Sequence, residues 1–176
     1  LLKRFFEYLY HKDKCLFLYL NKKIRCKFLD LIMPRITHLG GVCFTLLLCA
    51  SLYIFGNGET RTAAVKALVT ITGSQGIVQL FKRTIERKRP YLVLPDVSTF
   101  WKNLLRDHSF PSGHTTAGFS LAVILAIYFP AYAVYSYLLA AMVGLSRIYT
   151  GMHYPSDVLS GAFIGTAFAF MTNAIL

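Results

Sequence analysis

Charged side chains are scarce in this 176-residue chain, and acidic ones are the scarcer kind. Only 15% of the residues are charged, against about a quarter in a typical soluble domain. Hydrophobic residues reach 55%, so the composition excludes a disordered chain and argues against a soluble globule. The four cysteines form no CxxC pair, which favours free thiols and excludes a disulfide scaffold. An integral membrane protein is the class that remains.

The basic residues are concentrated in two blocks that lie beside apolar runs. One block falls within residues 1–37 and the other within residues 82–110. From residue 111 onward, the only Lys, Arg, Asp or Glu side chains are Arg147 and Asp157. A nucleic-acid-binding protein would spread its basic residues over a solvated face. The distribution therefore predicts no nucleic-acid partner, and it favours membrane lipids with anionic headgroups or a phosphorylated substrate.

Long runs with little or no charge predict about five transmembrane helices. They cover residues 39–55, 63–81, 115–146 and 158–176. The third run is too long for one helix, and Pro130 divides it into two spans joined by a short turn. We therefore predict an all-α fold, a polytopic membrane helical bundle.

Residues 1–37 differ from these spans because charged and apolar side chains alternate there at helical spacing. This pattern predicts N-terminal amphipathic helices on the membrane surface, and a first helix packed on the side of the bundle is the alternative. We expect one membrane domain over residues 1–176, with residues 1–37 as its interfacial segment. Residues 38–176 would form the transmembrane core and carry an active-site loop at 82–114.

Three polar clusters fall on the same face of this predicted bundle. They are residues 82–90, 111–114 and 146–157. In the second cluster, Ser112 can cap the third span and Gly113 allows close approach of a ligand to free backbone N–H groups, which attract anions. Each cluster alone also fits a structural role, as interfacial anchors, a capping turn or an ion pair. Within the first cluster, Glu86, Arg87 and Lys88 are predicted to form a solvated run.

Together the clusters provide the groups that phosphoryl transfer requires. A carboxylate at Asp157 can accept the Nδ1 proton of His153 and leave Nε2 free as a nucleophile. His114 can then serve as an acid, and Lys82, Arg89 and Arg147 can neutralise phosphate oxygens. A metal site is disfavoured, since the facing clusters hold only one acid among three cations.

The three clusters resemble the signature of the type 2 phosphatidic acid phosphatase family. The matching residues are Lys82-x6-Arg89-Pro90, Pro111-Ser112-Gly113-His114 and Ser146-Arg147-x5-His153-x3-Asp157. The resemblance implies that His153 forms a phosphohistidine, that Asp157 orients it, and that His114 protonates the leaving group and then activates water. The phosphate would be held by Lys82, Arg89, Ser112, Gly113 and Arg147. The family uses no metal or other cofactor.

The resemblance further implies a bacterial cell-envelope enzyme, a membrane lipid phosphatase that hydrolyses a phosphate monoester or diphosphate. Candidate substrates are undecaprenyl diphosphate, phosphatidylglycerol phosphate, phosphatidic acid and lipid A 1-phosphate. The alternative is a non-catalytic membrane protein that binds or transports a phosphorylated compound. The sequence does not predict an oligomeric state.

The orientation in the membrane is predicted differently by charge and by resemblance. The positive-inside rule places the basic face in the cytoplasm, whereas the family implies an active site on the extracytoplasmic face of the cytoplasmic membrane. We expect the extracytoplasmic face, because phosphate and headgroup binding accounts for many of the basic residues there.

Overall fold

The computed structural model describes residues 2–101 and 107–176, which form a helical bundle without strands. The α-helices are α1 (Leu2–Leu18), α2 (Lys27–Ile36), α3 (Val42–Phe55), α4 (Gly58–Ile85), α5 (Pro90–Val93), α6 (Gly113–Tyr128), α7 (Ala133–Tyr149) and α8 (Pro155–Ile175). A π-helical turn follows α1 at Tyr19–Lys23, and 3₁₀ turns precede α3 at Thr37–Gly40 and α7 at Pro130–Tyr132. The all-α membrane bundle predicted from the sequence is confirmed.

Helix α6 is the centre of the bundle, since it packs against α3, α4, α7 and α8. Its contact with α8 depends on the absence of side chains at two glycines. A Cβ atom at Gly161 would lie 2.6 Å from the Ser112 carbonyl oxygen, and one at Gly165 would lie 2.4 Å from that of Thr116. The Gly161-x3-Gly165 pair thus lets α8 approach α6 closely within the chain.

The outer surfaces of these helices are apolar, as expected for contact with lipid. Exposed large side chains include Leu138 on α7 and Leu159 and Phe163 on α8. Within the described residues, three segments are long and apolar enough to cross a membrane: Gly58–Val93, Pro130–Tyr149 and Pro155–Ile175.

The remaining spans are shorter or bent. Lys27–Gly40 and Val42–Phe55 qualify together as a fourth span that bends by 57°. Helix α6 has 16 residues, or about 24 Å of length, and neighbouring helices enclose it. The five predicted spans thus correspond to α3, α4, α6, α7 and α8.

Helix α1 packs against the end of the bundle at which α8 begins. Phe17 is fully buried, and its ring centroid lies 5.5 Å from that of Tyr154. Asp13 accepts a hydrogen bond of 2.9 Å from the Ser156 backbone N–H. The N-terminal segment is therefore attached to the bundle by specific contacts, while Tyr8 and Leu9 remain exposed.

Candidate active site

His153 lies in the turn between α7 and α8, where it is 1% exposed. Its Nδ1 atom is 2.7 Å from the Ser109 carbonyl oxygen. A carbonyl can only accept a hydrogen bond, so Nδ1 carries the proton and Nε2 carries the lone pair. Nε2 is 3.2 Å from a guanidinium nitrogen of Arg89 and faces a cavity. The geometry thus presents Nε2 as a nucleophile.

Asp157 lies in the first turn of α8 and is fully buried. One carboxylate oxygen accepts hydrogen bonds from the Tyr154 backbone N–H, at 2.8 Å, and from the Ser109 hydroxyl. The same oxygen is 3.7 Å from Nδ1 of His153. The predicted direct hydrogen bond from His153 is therefore replaced by one to Ser109, which contacts both residues.

Ser109 was not identified from the sequence as a functional residue. It lies three positions before Ser112, in a loop where no hydropathy pattern distinguishes one hydroxyl from another. Its carbonyl orients His153 and its hydroxyl binds Asp157. Only the fold of residues 107–112 reveals this arrangement.

Helix α6 begins at the second motif, directly beside His153. His114 and Gly113 line the cavity. Ser112 is fully buried and does not line it. The Ser112 N–H donates a 3.0 Å hydrogen bond to the Asp157 carbonyl oxygen, and its hydroxyl accepts one of 2.8 Å from Thr115. The predicted side-chain cap at Ser112 is therefore wrong, because its hydroxyl bonds to Thr115 and caps no backbone N–H.

The three predicted phosphate-binding cations converge on this cavity. Lys82 comes from the last turn of α4, Arg89 from the residue before α5, and Arg147 from the last turn of α7. One Arg147 nitrogen donates a 2.8 Å hydrogen bond to the Thr37 hydroxyl, whereas its Nε is buried without a hydrogen-bond partner among the described residues. An unpaired guanidinium N–H at this place favours an anionic ligand.

Asp107 pairs with two of these cations and was not identified from the sequence. Its carboxylate is 2.5 Å from Nζ of Lys82 and 2.6 Å from the nearer guanidinium nitrogen of Arg89. Burial opposes its ionisation, but the Lys82 hydrogen bond and the Arg89 charge outweigh burial and keep the pKa of Asp107 below its ordinary value.

The prediction of a single acid among the facing clusters is therefore wrong, because Asp107 joins Asp157. Both carboxylates are paired with Lys or Arg side chains. Within the described part of the chain, no three His, Cys, Asp or Glu side chains are grouped so that they could hold a metal ion. Metal independence remains a prediction that requires a solution test.

The charges around His153 influence its protonation. Burial is the largest cause, and the charges of Arg89 and Arg147 come next; together they hold the pKa of His153 well below its ordinary value. His153 therefore remains neutral in mildly acidic solution, which is the state a nucleophile requires.

The cavity has a volume of about 380 Å³ and extends from the cations towards the lipid-facing side of α3 and α4. Its polar end holds His153, His114 and Arg147. On α3, Val42 and Leu46 both line the cavity and are exposed on the helix surface. The cavity thus opens between α3 and α4, with apolar side chains at its mouth.

Arg87 was predicted to belong to a solvated run together with Glu86 and Lys88, and this prediction is wrong. Its guanidinium lies 2.6 Å from Asp157 and 2.6 Å from Asp13. Glu86 and Lys88 are exposed, as predicted. The difference arises because α4 ends at Glu86 in a left-handed conformation, which redirects the chain after it.

Comparisons with known proteins agree with these features. A sequence model of the PAP2 superfamily matches residues 63–176. The chain is 32% identical over 150 residues to a lipid A 1-phosphatase of Rhizobium etli, covering 73% of this chain and 64% of that protein. It is also 32% identical over 145 residues to the undecaprenyl-diphosphatase BcrC of Bacillus subtilis, covering 81% of this chain and 72% of that protein.

The chain spans only about half to two thirds of several of these relatives, such as 52% of the bacitracin transport permease protein BcrC of Bacillus licheniformis. Two solved structures match over a greater share of both chains. LpxE of Aquifex aeolicus has a TM-score of 0.80 at 28% identity, covering 90% of this chain and 93% of that one.

A PAP2-type phosphatidylglycerolphosphate phosphatase from Bacillus subtilis has a TM-score of 0.76 at 25% identity, covering 95% of this chain and 85% of that one. These matches confirm the family resemblance that the three motifs predicted, and the chain belongs to the PAP2 superfamily.

Proposed function

We propose that this protein is a membrane lipid phosphatase that acts through a phosphohistidine at His153. The observation that carries the proposal is the unprotonated Nε2 of a neutral, buried histidine facing a cavity that three cations and His114 line. Phosphoryl transfer depends chiefly on positioning and on charge stabilisation. Both are available in this cavity.

The proposed reaction has two steps. Nε2 of His153 attacks phosphorus and the bond to the leaving-group oxygen breaks, while His114 gives that oxygen a proton. The negative charge of the bound substrate favours the protonated form of His114 that this step requires. Lys82, Arg89 and Arg147 stabilise the charge on the phosphoryl oxygens. In the second step His114 takes a proton from water, the water oxygen attacks phosphorus, and the nitrogen–phosphorus bond breaks to release phosphate.

A lipid substrate is supported by the shape of the cavity. Its polar end reaches the three cations, and its apolar mouth opens between α3 and α4 on the lipid-facing surface. A phosphorylated headgroup can enter there while its hydrocarbon chains remain in the membrane. The named relatives act on lipid A, undecaprenyl diphosphate and phosphatidylglycerophosphate, so these substrates and phosphatidic acid form the test panel.

The test is phosphate release by purified protein in detergent containing EDTA, with each of the four lipids. We expect release from at least one lipid and its loss in His153→Ala. Release that stops with EDTA and returns with magnesium would contradict the metal-independent mechanism. Binding of phosphate without release from any lipid would favour the non-catalytic alternative.

We also infer that the site faces the outside of the cytoplasmic membrane. Cys26 is exposed and directly precedes α2. Asp30 of α2 accepts a 2.7 Å hydrogen bond from the Tyr149 hydroxyl at the end of α7, so Cys26 lies near the same end of the bundle as the site. A variant that keeps Cys26 as its single cysteine should react with a membrane-impermeant maleimide in intact cells. Labelling only after cell lysis would place the site in the cytoplasm, and Cys26→Ala is the control.

A further inference from the structure

Arg87 forms a bridge behind the active site, between the N-terminal helix and the buried carboxylate. One guanidinium nitrogen lies 2.6 Å from Asp157 and donates a 2.7 Å hydrogen bond to the Ser156 hydroxyl. The other nitrogen lies 2.6 Å from Asp13 on α1. The planar guanidinium thus connects α1 to the first turn of α8.

The surroundings of Arg87 leave it little freedom to move. Its guanidinium carbon lies 4.0 Å from the ring centroid of Tyr154, which it overlies. Asp13 in turn accepts hydrogen bonds from the Ser156 backbone N–H, at 2.9 Å, and from the Ser156 hydroxyl, at 2.5 Å. Four side chains from three segments therefore form one closed network, and such networks act as a unit.

This network continues to the nucleophile. Asp157 is fully buried, and among the described residues Arg87 is the cation that pairs with its carboxylate. The other Asp157 oxygen accepts a hydrogen bond from the Ser109 hydroxyl, and the Ser109 carbonyl oxygen accepts one from Nδ1 of His153. A shift of Asp157 would consequently move the group that orients the nucleophile.

We propose that Arg87 is a positioning residue for His153, and that Asp13 of α1 completes the arrangement. The inference rests on the proposed phosphatase function and deepens it. Arg87 lies outside the motif positions Lys82 and Arg89, and it does not line the cavity. Its effect is transmitted through Asp157 and Ser109. The N-terminal helix is accordingly part of the active enzyme.

The first test compares Arg87→Gln with Arg83→Gln. Arg83 is exposed in the last turn of α4, so its variant loses the same charge without disturbing the network. Turnover of whichever panel lipid the wild type hydrolyses is measured together with inhibition by inorganic phosphate. We expect Arg87→Gln to lower kcat about 10²-fold, as expected for a misplaced nucleophile. Its inhibition constant for phosphate should stay close to the wild-type value, since the three cavity cations are intact.

Two further variants separate positioning from folding. Arg87→Lys keeps the charge and should recover part of the lost kcat. Asp13→Asn removes only the α1 end of the bridge, and we expect a smaller fall in kcat, about 10-fold. Combined with Arg87→Gln, it should add almost nothing, because residues that act through one bridge are not additive. If Arg87→Gln does not fold, the kcat of Asp13→Asn alone tests the inference.

The outcomes distinguish this inference from the function on which it rests. A wild-type protein that hydrolyses no panel lipid would overturn both. Wild-type turnover with equal kcat in Arg87→Gln and Arg83→Gln would overturn the inference alone. If Arg87→Gln cannot be purified folded, wild-type kcat in Asp13→Asn would overturn it. A fall in kcat matched by an equal loss of phosphate inhibition would also overturn it, since the defect would then lie in the binding cavity.

Discussion

At the scale of single residues, the site depends on which nitrogen of His153 carries the proton. The Ser109 carbonyl fixes that proton on Nδ1, and burial together with Arg89 and Arg147 keeps the ring neutral. The proposed nucleophile is therefore oriented and kept neutral by groups on three different segments. None of these contacts requires the substrate to be bound.

The lowered pKa of His153 predicts how activity depends on pH. A group with a depressed pKa stays neutral as pH falls through the usual histidine range, about 6.5, and becomes protonated only below it. The ionisation of the substrate phosphate is measured separately and its effect on the pH profile is subtracted. In the corrected profile, we expect no fall in kcat/KM at about pH 6.5 that arises from protonation of His153. A loss of kcat/KM as pH falls through about 6.5, once assigned to the enzyme, would contradict the neutral, cation-surrounded histidine. A loss as pH rises would instead report the acid His114.

Asp107 predicts a second measurable effect. Its carboxylate occupies Lys82 and Arg89, the cations that a phosphate would need. The Asp107 side chain is 46% exposed, so solvent weakens its ion pairs with the two cations. We therefore expect Asp107→Asn to strengthen inhibition by inorganic phosphate only about 2- to 5-fold. Weaker inhibition in the variant would show instead that Asp107 supports phosphate binding. Asp96→Asn, at another exposed acid in the same loop, is the control.

The motif residues could be predicted from the sequence because they follow a fixed spacing at span ends. Ser109, Asp107 and Arg87 could not. Each lies in or beside the loop between α4 and α6, where contacts are set by the path of the chain and not by any periodic pattern. Arg87 and Lys88 are adjacent cations in the sequence, yet one is paired with two carboxylates and the other is exposed.

At the scale of elements, hydropathy predicted which segments span but not where they end. The second span was predicted at residues 63–81, whereas α4 extends over Gly58–Ile85. Both polar ends of α4 are helical. At the first turn, the Asn57 side chain caps the helix by accepting a hydrogen bond from the Thr60 N–H at 3.4 Å. The last turn includes Lys82, which lines the cavity. Hydropathy cannot detect helix that continues into polar sequence.

The contact between α6 and α8 supplies a prediction at this scale. A methyl group at Gly165 would meet the Thr116 carbonyl oxygen at 2.4 Å, so Gly165→Ala must separate the helices, at a cost of about 1–3 kcal/mol. Gly76→Ala on α4 is the matched control, because no atom of the described residues lies within 4 Å of its added Cβ. We expect a lower thermal unfolding midpoint in detergent for Gly165→Ala alone. Equal midpoints would contradict the close packing.

At the scale of the whole molecule, the bundle places a polar cavity beside a lipid-facing opening. The mouth between α3 and α4 predicts that a bulky side chain there hinders long-chain substrates. Leu46→Trp should lower kcat/KM for a lipid phosphate about 10-fold or more, while a short-chain water-soluble phosphate is less affected. Leu47→Trp is the matched control, since Leu47 is exposed and does not line the cavity. Equal losses in both variants would contradict entry at this mouth.

The central claim is that Nε2 of His153 becomes phosphorylated during turnover. The most direct measurement is mass spectrometry of peptides from protein quenched in alkali during hydrolysis of an active panel lipid, because the nitrogen–phosphorus bond is preserved there. We predict a phosphoryl group on His153 in the wild-type protein and none in His153→Ala. A phosphoryl group on another residue, or turnover that continues in His153→Ala, would contradict the account.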